Sequence, residues 1–235
     1  MMNAAFPEIP LVTGELLRTV FGEEKILDAA TELRRYQHLM AYYRCAMMEV
    51  ETKLSVLCEE FSLRHDRSPI HTVKSRLKHP ESIRKKLLRY GKPLTFSSLE
   101  ENIADVAGVR VVCSFIKDVY TIADALLAQD DITLITKKDY IEHPKPNGYR
   151  SLHLVVEVPI FLAHEKRRMK VEIQLRTLAM DSFASLEHQL RYKKELPDTP
   201  EVGMELARCA VISAELDARM DALRRAVGLD LPDRE

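Results

Sequence analysis

The sequence predicts an α+β protein, with mixed α/β as the alternative: a mixed β-sheet of about five strands flanked by helices, with a long helix at each end. Three observations carry this reading. From Gly22 to His65 there is no proline and no further glycine, and apolar residues recur at intervals of three and four. The middle of the chain interleaves short β-branched runs with helix-like segments, and beyond Pro200 the helical period returns.

Taken in order, the lead from Met1 to Pro10 lacks the basic-then-apolar layout of a secretory signal, so the cytoplasm is the expected compartment. In the first long segment Leu33, Tyr36, Met40, Tyr43, Met47, Val50, Leu54, Leu57 and Phe61 form one apolar seam, on one long helix or two in series. Packing within the chain is preferred to packing on a partner subunit. The run from His65 to Pro69 breaks this helix. Pro80 then opens a helix over Glu81 to Tyr90, which Gly91 stops at its C′ position. A short helix around Ser97 to Ala104 leads into a buried strand over Val106 to Phe115. Asp118 to Gln129 is an amphipathic helix with Ile122, Leu126 and Leu127 on its apolar side. Strands follow at Ile132 to Ile141, Ser151 to Leu162 and Met169 to Thr177. The last helix, from Glu201 to Val227, carries the seam Leu206, Cys209, Ser213, Leu216, Met220, Leu223 and Val227. It can pair with the first helix, sit against the central domain or form an oligomer face.

At 235 residues the chain is read as one domain: an N-terminal helical segment (1–65), a core (66–196) and a C-terminal helix (197–235). A net charge of -1 excludes a general attraction to polyanions, so any anion site must be local. No apolar run approaches the roughly 18 residues of a membrane span. Cys45, Cys58, Cys113 and Cys209 are too scattered for a disulfide framework or zinc knuckle and read as ordinary thiols.

The stretch from Lys145 to His153 is a polar turn feeding a strand. Pro146, Asn147 and Gly148 shape the turn, while Tyr149, Ser151 and His153 share one face opposite Leu152, Leu154 and Val156. Strand Val171 to Thr177 turns Glu172, Gln174 and Arg176 away from Val171, Ile173 and Leu175. Asp105 stands at the mouth of the buried strand that follows it. With Glu172 it could hold a divalent ion, since Mg²⁺ is commonly held by one or two carboxylates plus substrate phosphates. Between Arg64 and Lys92 lie ten basic residues and two acidic ones, which marks a local anion site. Arg84, Lys85 and Arg89 read as a solvated face. Arg76, Lys78 and Lys86 are the phosphate candidates, with Ser82 in the first turn of a helix. Neither a P-loop nor a Gly-x-Gly-x-x-Gly fingerprint occurs, and His65-Asp66 stands without further ligand-spaced partners.

In this order, Arg76-Leu77-Lys78 with Ser82 and Lys86, the run Asp105 to Val111, Lys145 to His153, Val171 to Thr177, and His188 with Tyr192-Lys193 resemble the synthetase domain of the RelA/SpoT alarmone enzymes. The likeness covers Pro69 to Lys194 and is strongest to the longer, RelP-like branch of the stand-alone small alarmone synthetases. It implies a nucleotidyltransferase-like synthetase fold and transfer of the β,γ-pyrophosphate of ATP to the 3′-hydroxyl of GDP or GTP, with release of AMP. By the family pattern Asp105 ligates Mg²⁺, and Glu172 ligates it or acts as base. Tyr149 stacks on guanine, and Arg76 and Arg110 sandwich adenine. Lys78, Ser82, Lys86, Lys145, Asn147 and His153 contact phosphates or position the acceptor, with Gln174 beside Glu172. A homotetramer is implied as well. An adenosine nucleotide or tRNA acceptor, and a non-enzymatic RNA-binding module, remain as alternatives; RNA binding is not indicated by any further feature. The identity of the preferred acceptor is not legible, because an aromatic ring stacks on any base.

Overall fold

The computed structural model describes residues 29–65, 67–193 and 199–229. The expectations for Met1 to Pro10 and for the helix between Gly22 and residue 28 lie outside these. Helix α1 (Ala29–His65) is followed by strand β1 (Ile70–Leu77), α2 (Pro80–Arg89), α3 (Phe96–Asn102), β2 (Ala107–Cys113) and α4 (Ile116–Leu127). Then come β3 (Thr133–Asp139), β4 (Leu152–Phe161), β5 (Lys166–Thr177), α5 (Leu178–Lys193) and α6 (Pro200–Ala226). The five strands form one mixed sheet in the order β1-β2-β5-β4-β3, parallel between β2 and β5 and antiparallel elsewhere.

Helix α1 is one unbroken helix that lies across β1, β2, β4 and β5. Tyr36, Met40, Tyr43, Met47, Val50 and Leu54 along its seam are fully or almost fully buried. Each such side chain contributes about 1.5–3 kcal/mol by leaving water, so the seam is spent on the sheet, as the intrachain reading expects. Val109, Val111, Leu154, Ile173 and Leu175 belong to the same core, and Ile122 and Leu126 of α4 join it.

Local signals set the boundaries. In α2, His79 caps the N-terminus by accepting from the Glu81 amide, Pro80 fills the first turn, and Gly91 at φ 63° follows the C-cap Tyr90. Thr95 caps α3 by accepting from the Ser98 amide at 3.1 Å. Helix α5 begins directly after β5 because the Thr177 hydroxyl accepts from the Met180 amide at 3.1 Å.

Three features depart from the sequence reading. Strand β1 is an edge strand whose buried ends, Ile70 and Leu77, enclose six positions that are half-buried or exposed, so period-two alternation is too weak to announce it. Helix α5 likewise lacks a clean helical period, its apolar residues being split between Met180 and Ala184 inside and Leu186 and Leu190 outside. On α6 the buried stripe is Leu206, Ala210, Asp217 and Arg224. The predicted seam members Cys209, Leu216, Met220, Leu223 and Val227 are exposed instead. This helix buries a charged stripe against the body of the protein, near α4 and α5, which hydrophobic periodicity cannot detect. All four cysteines are free.

Candidate active site

The sheet's strand register gathers the polar residues on the face opposite α1. Arg76 of β1 stands beside Gly108 of β2, which stands beside Glu172 of β5. One step along, Lys74, Arg110, Gln174 and His153 form a row across four strands. Directly opposed residues on neighbouring strands project from the same face, so the alternation of β5 is converted into a surface spanning the sheet. Gly108 leaves a gap in this row, because a side chain there would lie in contact with the Arg76 backbone and stem. Lys74, Arg76, Asp105, Arg110, Glu172 and Gln174 line the resulting cleft of ≈ 270 Å³.

At one end of the cleft, Asp105 Oδ2 accepts from Lys78 at 2.9 Å and pairs with Lys86 at 2.8 Å. Its other oxygen, Oδ1, is buried without a hydrogen-bond partner. Burial alone disfavours the charged form. The hydrogen bonds and positive charges of Lys86 and Lys78 outweigh it and hold the carboxyl below its ordinary range. A carboxylate with one oxygen neutralised by two ammonium groups and the other oxygen free suits a cation shared with a polyphosphate. No group of three or more His, Cys, Asp or Glu side chains converges as a metal cage among the described residues, so a cation here would depend on Asp105, Glu172 and oxygen atoms of a ligand.

At the other end five side chains close a hydrogen-bonded ring. His153 faces Glu172 Oε1 through Nδ1 at 3.4 Å and the Tyr149 hydroxyl through Nε2 at 2.9 Å. Gln174 donates to Glu172 Oε2 at 2.8 Å and accepts from Arg176 at 3.0 Å. Arg176 returns to the Tyr149 hydroxyl at 2.6 Å. Ser151 also donates to that hydroxyl, at 3.0 Å. With Ser151 and Arg176 donating to it, the hydroxyl gives its own proton to His153 Nε2, which leaves the proton of a neutral imidazole on Nδ1, facing Glu172. Burial again works against the charge on Glu172, as does Asp105. His153 and Gln174 more than compensate, so its carboxyl also titrates below the usual range.

The cationic wall is continuous with this ring. Asp181, in the first turn of α5, pairs with Arg110 at 3.2 Å and Arg176 at 3.1 Å. Arg110 is held below its ordinary range by burial first and then by the charges of Arg176 and Arg76. The cleft therefore carries more positive than negative charge and favours an anion.

Residues 75–196 match the family model described as the region found in RelA / SpoT proteins. The chain belongs to the RelA/SpoT family. It is 40% identical over 200 residues to the GTP pyrophosphokinase YwaC of Bacillus subtilis (strain 168), which covers 85% of this chain and 95% of that protein. Among solved structures it is similar to small alarmone synthetase 1 from Bacillus subtilis bound to its product pppGpp, with a TM-score of 0.75, 34% identity, and coverage of 83% of this chain and 98% of that one. The same synthetase bound to AMPCPP matches with a TM-score of 0.71 and 32% identity, over 84% of this chain and 100% of that one. The mixed five-strand sheet flanked by helices is the fold of these RelA/SpoT neighbours.

Within this RelA/SpoT chain, Asp105, Lys78 and Lys86 come together, Arg76, Arg110, Glu172 and Gln174 share the cleft with Asp105, and Tyr149 and His153 join Glu172. Ser82 lies exposed in the first turn of α2, four residues before Lys86. Lys145 is exposed with its ammonium 4.7 Å from the Tyr149 ring centre. Asn147 is engaged by the protein at both ends, accepting from the Tyr149 amide at 3.3 Å and donating to Glu187 at 3.2 Å, so it shapes the loop. Two residues that sequence reasoning did not single out are Arg176 and Asp181. Arg176 stands third on the polar face of β5, after Glu172 and Gln174, which was its available signal; Asp181 had none, because its importance comes from where α5 starts.

Proposed function

We propose that this cleft holds ATP and GDP or GTP together and transfers the β,γ-pyrophosphate of ATP to the acceptor's 3′-hydroxyl, releasing AMP. The chain is a GTP pyrophosphokinase, and the observation that carries the site reading is the hydrogen-bonded ring around Glu172, set beside an Asp105 with one free buried oxygen. Arg76 and Arg110 flank the adenine, and Lys78, Lys86 and Ser82 take the ATP phosphates. Tyr149 stacks on the acceptor base with Lys145, Asn147, His153 and Gln174 around the acceptor. Glu172, ionised at neutral pH, accepts the proton of the 3′-hydroxyl as that oxygen bonds to the β-phosphorus and the bond from the β-phosphorus to the oxygen of AMP breaks. Asp105 and Glu172 are the residues that would hold Mg²⁺, which when bound neutralises charge on the transferring oxygens. The protein's own contribution is alignment and a fixed set of cations, and that is what this reaction class requires.

Assembly into a homo-oligomer, a tetramer by family likeness, is part of the same proposal. It is supported by the exposed Met204, Val211, Ile212, Leu216 and Leu223 on the outer side of α6. No helix among the described residues is long and apolar enough to cross a membrane.

The test is an end-point assay with Mg²⁺, ATP and each of GMP, GDP, GTP and AMP. AMP release together with a 3′-pyrophosphorylated guanosine nucleotide is expected, and Glu172→Gln should lower kcat by about 10²–10⁴-fold while nucleotide binding survives. Absence of both products from the unaltered protein would sink the proposal.

A further inference from the structure

The loop from Lys145 to His153 is not held by the sheet alone. Gly148 adopts φ +79°, and a Cβ added there would overlap the Ala210 methyl of α6, so the helix meets the loop backbone through that methyl alone. Two turns further along the same buried stripe, Asp217 Oδ2 accepts from Arg150 at 2.9 Å, and both side chains are almost fully buried. Asp217 also accepts a hydrogen bond from the hydroxyl of Thr177. Thr177 directly follows Arg176, whose guanidinium holds the Tyr149 hydroxyl. A single buried carboxylate on α6 thus ties down the residue after Tyr149 and the strand end that carries the partner of Tyr149. Burial of the acid raises its affinity for a proton, and the Thr177 hydroxyl and the Arg150 charge work against that shift.

We infer that Asp217 and Ala210 of α6 are positioning residues for the acceptor nucleotide, setting the height and tilt of Tyr149 through Arg150, Gly148 and Thr177. This rests on the reading of the Lys145–His153 loop as the acceptor site. A positioning role differs from simple structural support because its effect is confined to one substrate. On the ATP side of the cleft, Lys78, Lys86, Asp105 and Arg76 on β1, α2 and the entry to β2 have no link to Asp217 among the contacts described; Arg110 alone is connected, and only through Asp181 and Arg176. Displacing the loop therefore weakens acceptor use and leaves ATP use in place.

The experiment uses the full chain and measures KM for GDP at saturating ATP and KM for ATP at saturating GDP, well below the melting temperature of each variant. Asp217→Asn, which keeps shape and removes charge, is expected to raise the GDP KM about tenfold or more, with the ATP KM within about twofold. Arg150→Ala should do the same, and the double variant should be no worse than Arg150→Ala, since both act on one contact. Ala210→Val leaves the ion pair intact and presses on Gly148; it is expected to show the same selective loss, and it decides the matter if Asp217→Asn does not fold. An unchanged GDP KM in folded variants, or an equal rise in both KM values, overturns the inference. An unaltered protein that makes no product with any acceptor overturns the functional reading beneath it instead.

Discussion

To accept a proton as proposed, Glu172 must be ionised, yet it is half-buried on the polar face of the sheet. Its neighbours resolve this: the Nδ1 proton of His153 and the amide of Gln174 both point at the carboxylate. Removing His153 takes away the largest opposing influence to burial, so the carboxyl's pKa should rise. The expected outcome for His153→Ala is an acid limb of kcat/KM displaced to higher pH, measured from the pH profile of turnover. A limb that stays in place would show that His153 serves only Tyr149.

At the scale of elements, α1 and α6 divide the labour. Helix α1 is apolar glue for the sheet. Met47→Ala, at a fully buried position, should cost roughly 2–5 kcal/mol of stability by denaturant unfolding, with the KM values of the surviving folded protein unchanged. A KM change would mean that the sheet's polar face is strained by its apolar one. Helix α6 instead buries Asp217 and Arg224. Arg224 pairs with Asp221 at 3.0 Å, and its guanidinium lies 5.9 Å from the Phe115 ring centre at the start of α4. An ion-paired stripe of this kind gives register more than stability, which suits a helix that aligns a loop.

For the whole molecule, Asp105 and Glu172 release their protons more readily folded than unfolded. Their contribution to stability is complete above the unfolded values of 3.8 and 4.5 and is lost as pH falls through the lower folded values. Asp217 is shifted upward and holds its proton more tightly when folded, so it offsets part of that loss. Unfolding free energy should therefore decline as pH is lowered beneath about 4.5, and Asp217→Asn should make the decline steeper. Urea titrations across that range check both statements. The apolar outer side of α6 makes a further prediction at this scale: light scattering at micromolar concentration should give a mass above that of one chain, and a monomer would remove the assembly proposal.

The amino-acid sequence by itself determined the α+β class, the seam of α1, the alternation of β5 and the basic concentration between Arg64 and Lys92, because each is written in local period, turn chemistry or charge density. Gly91 and Pro80 marked the ends of α2 for the same reason. Only the tertiary structure decided that Arg176 would close a ring with Tyr149, His153, Glu172 and Gln174, since those partners come from different strands and their distances depend on register. It also decided that Arg150 is tied to Asp217 across 67 residues. Buried charges such as Asp217 and Arg224 leave no hydrophobic period to read, so that part of the buried face of α6 became visible only when its neighbours were in place.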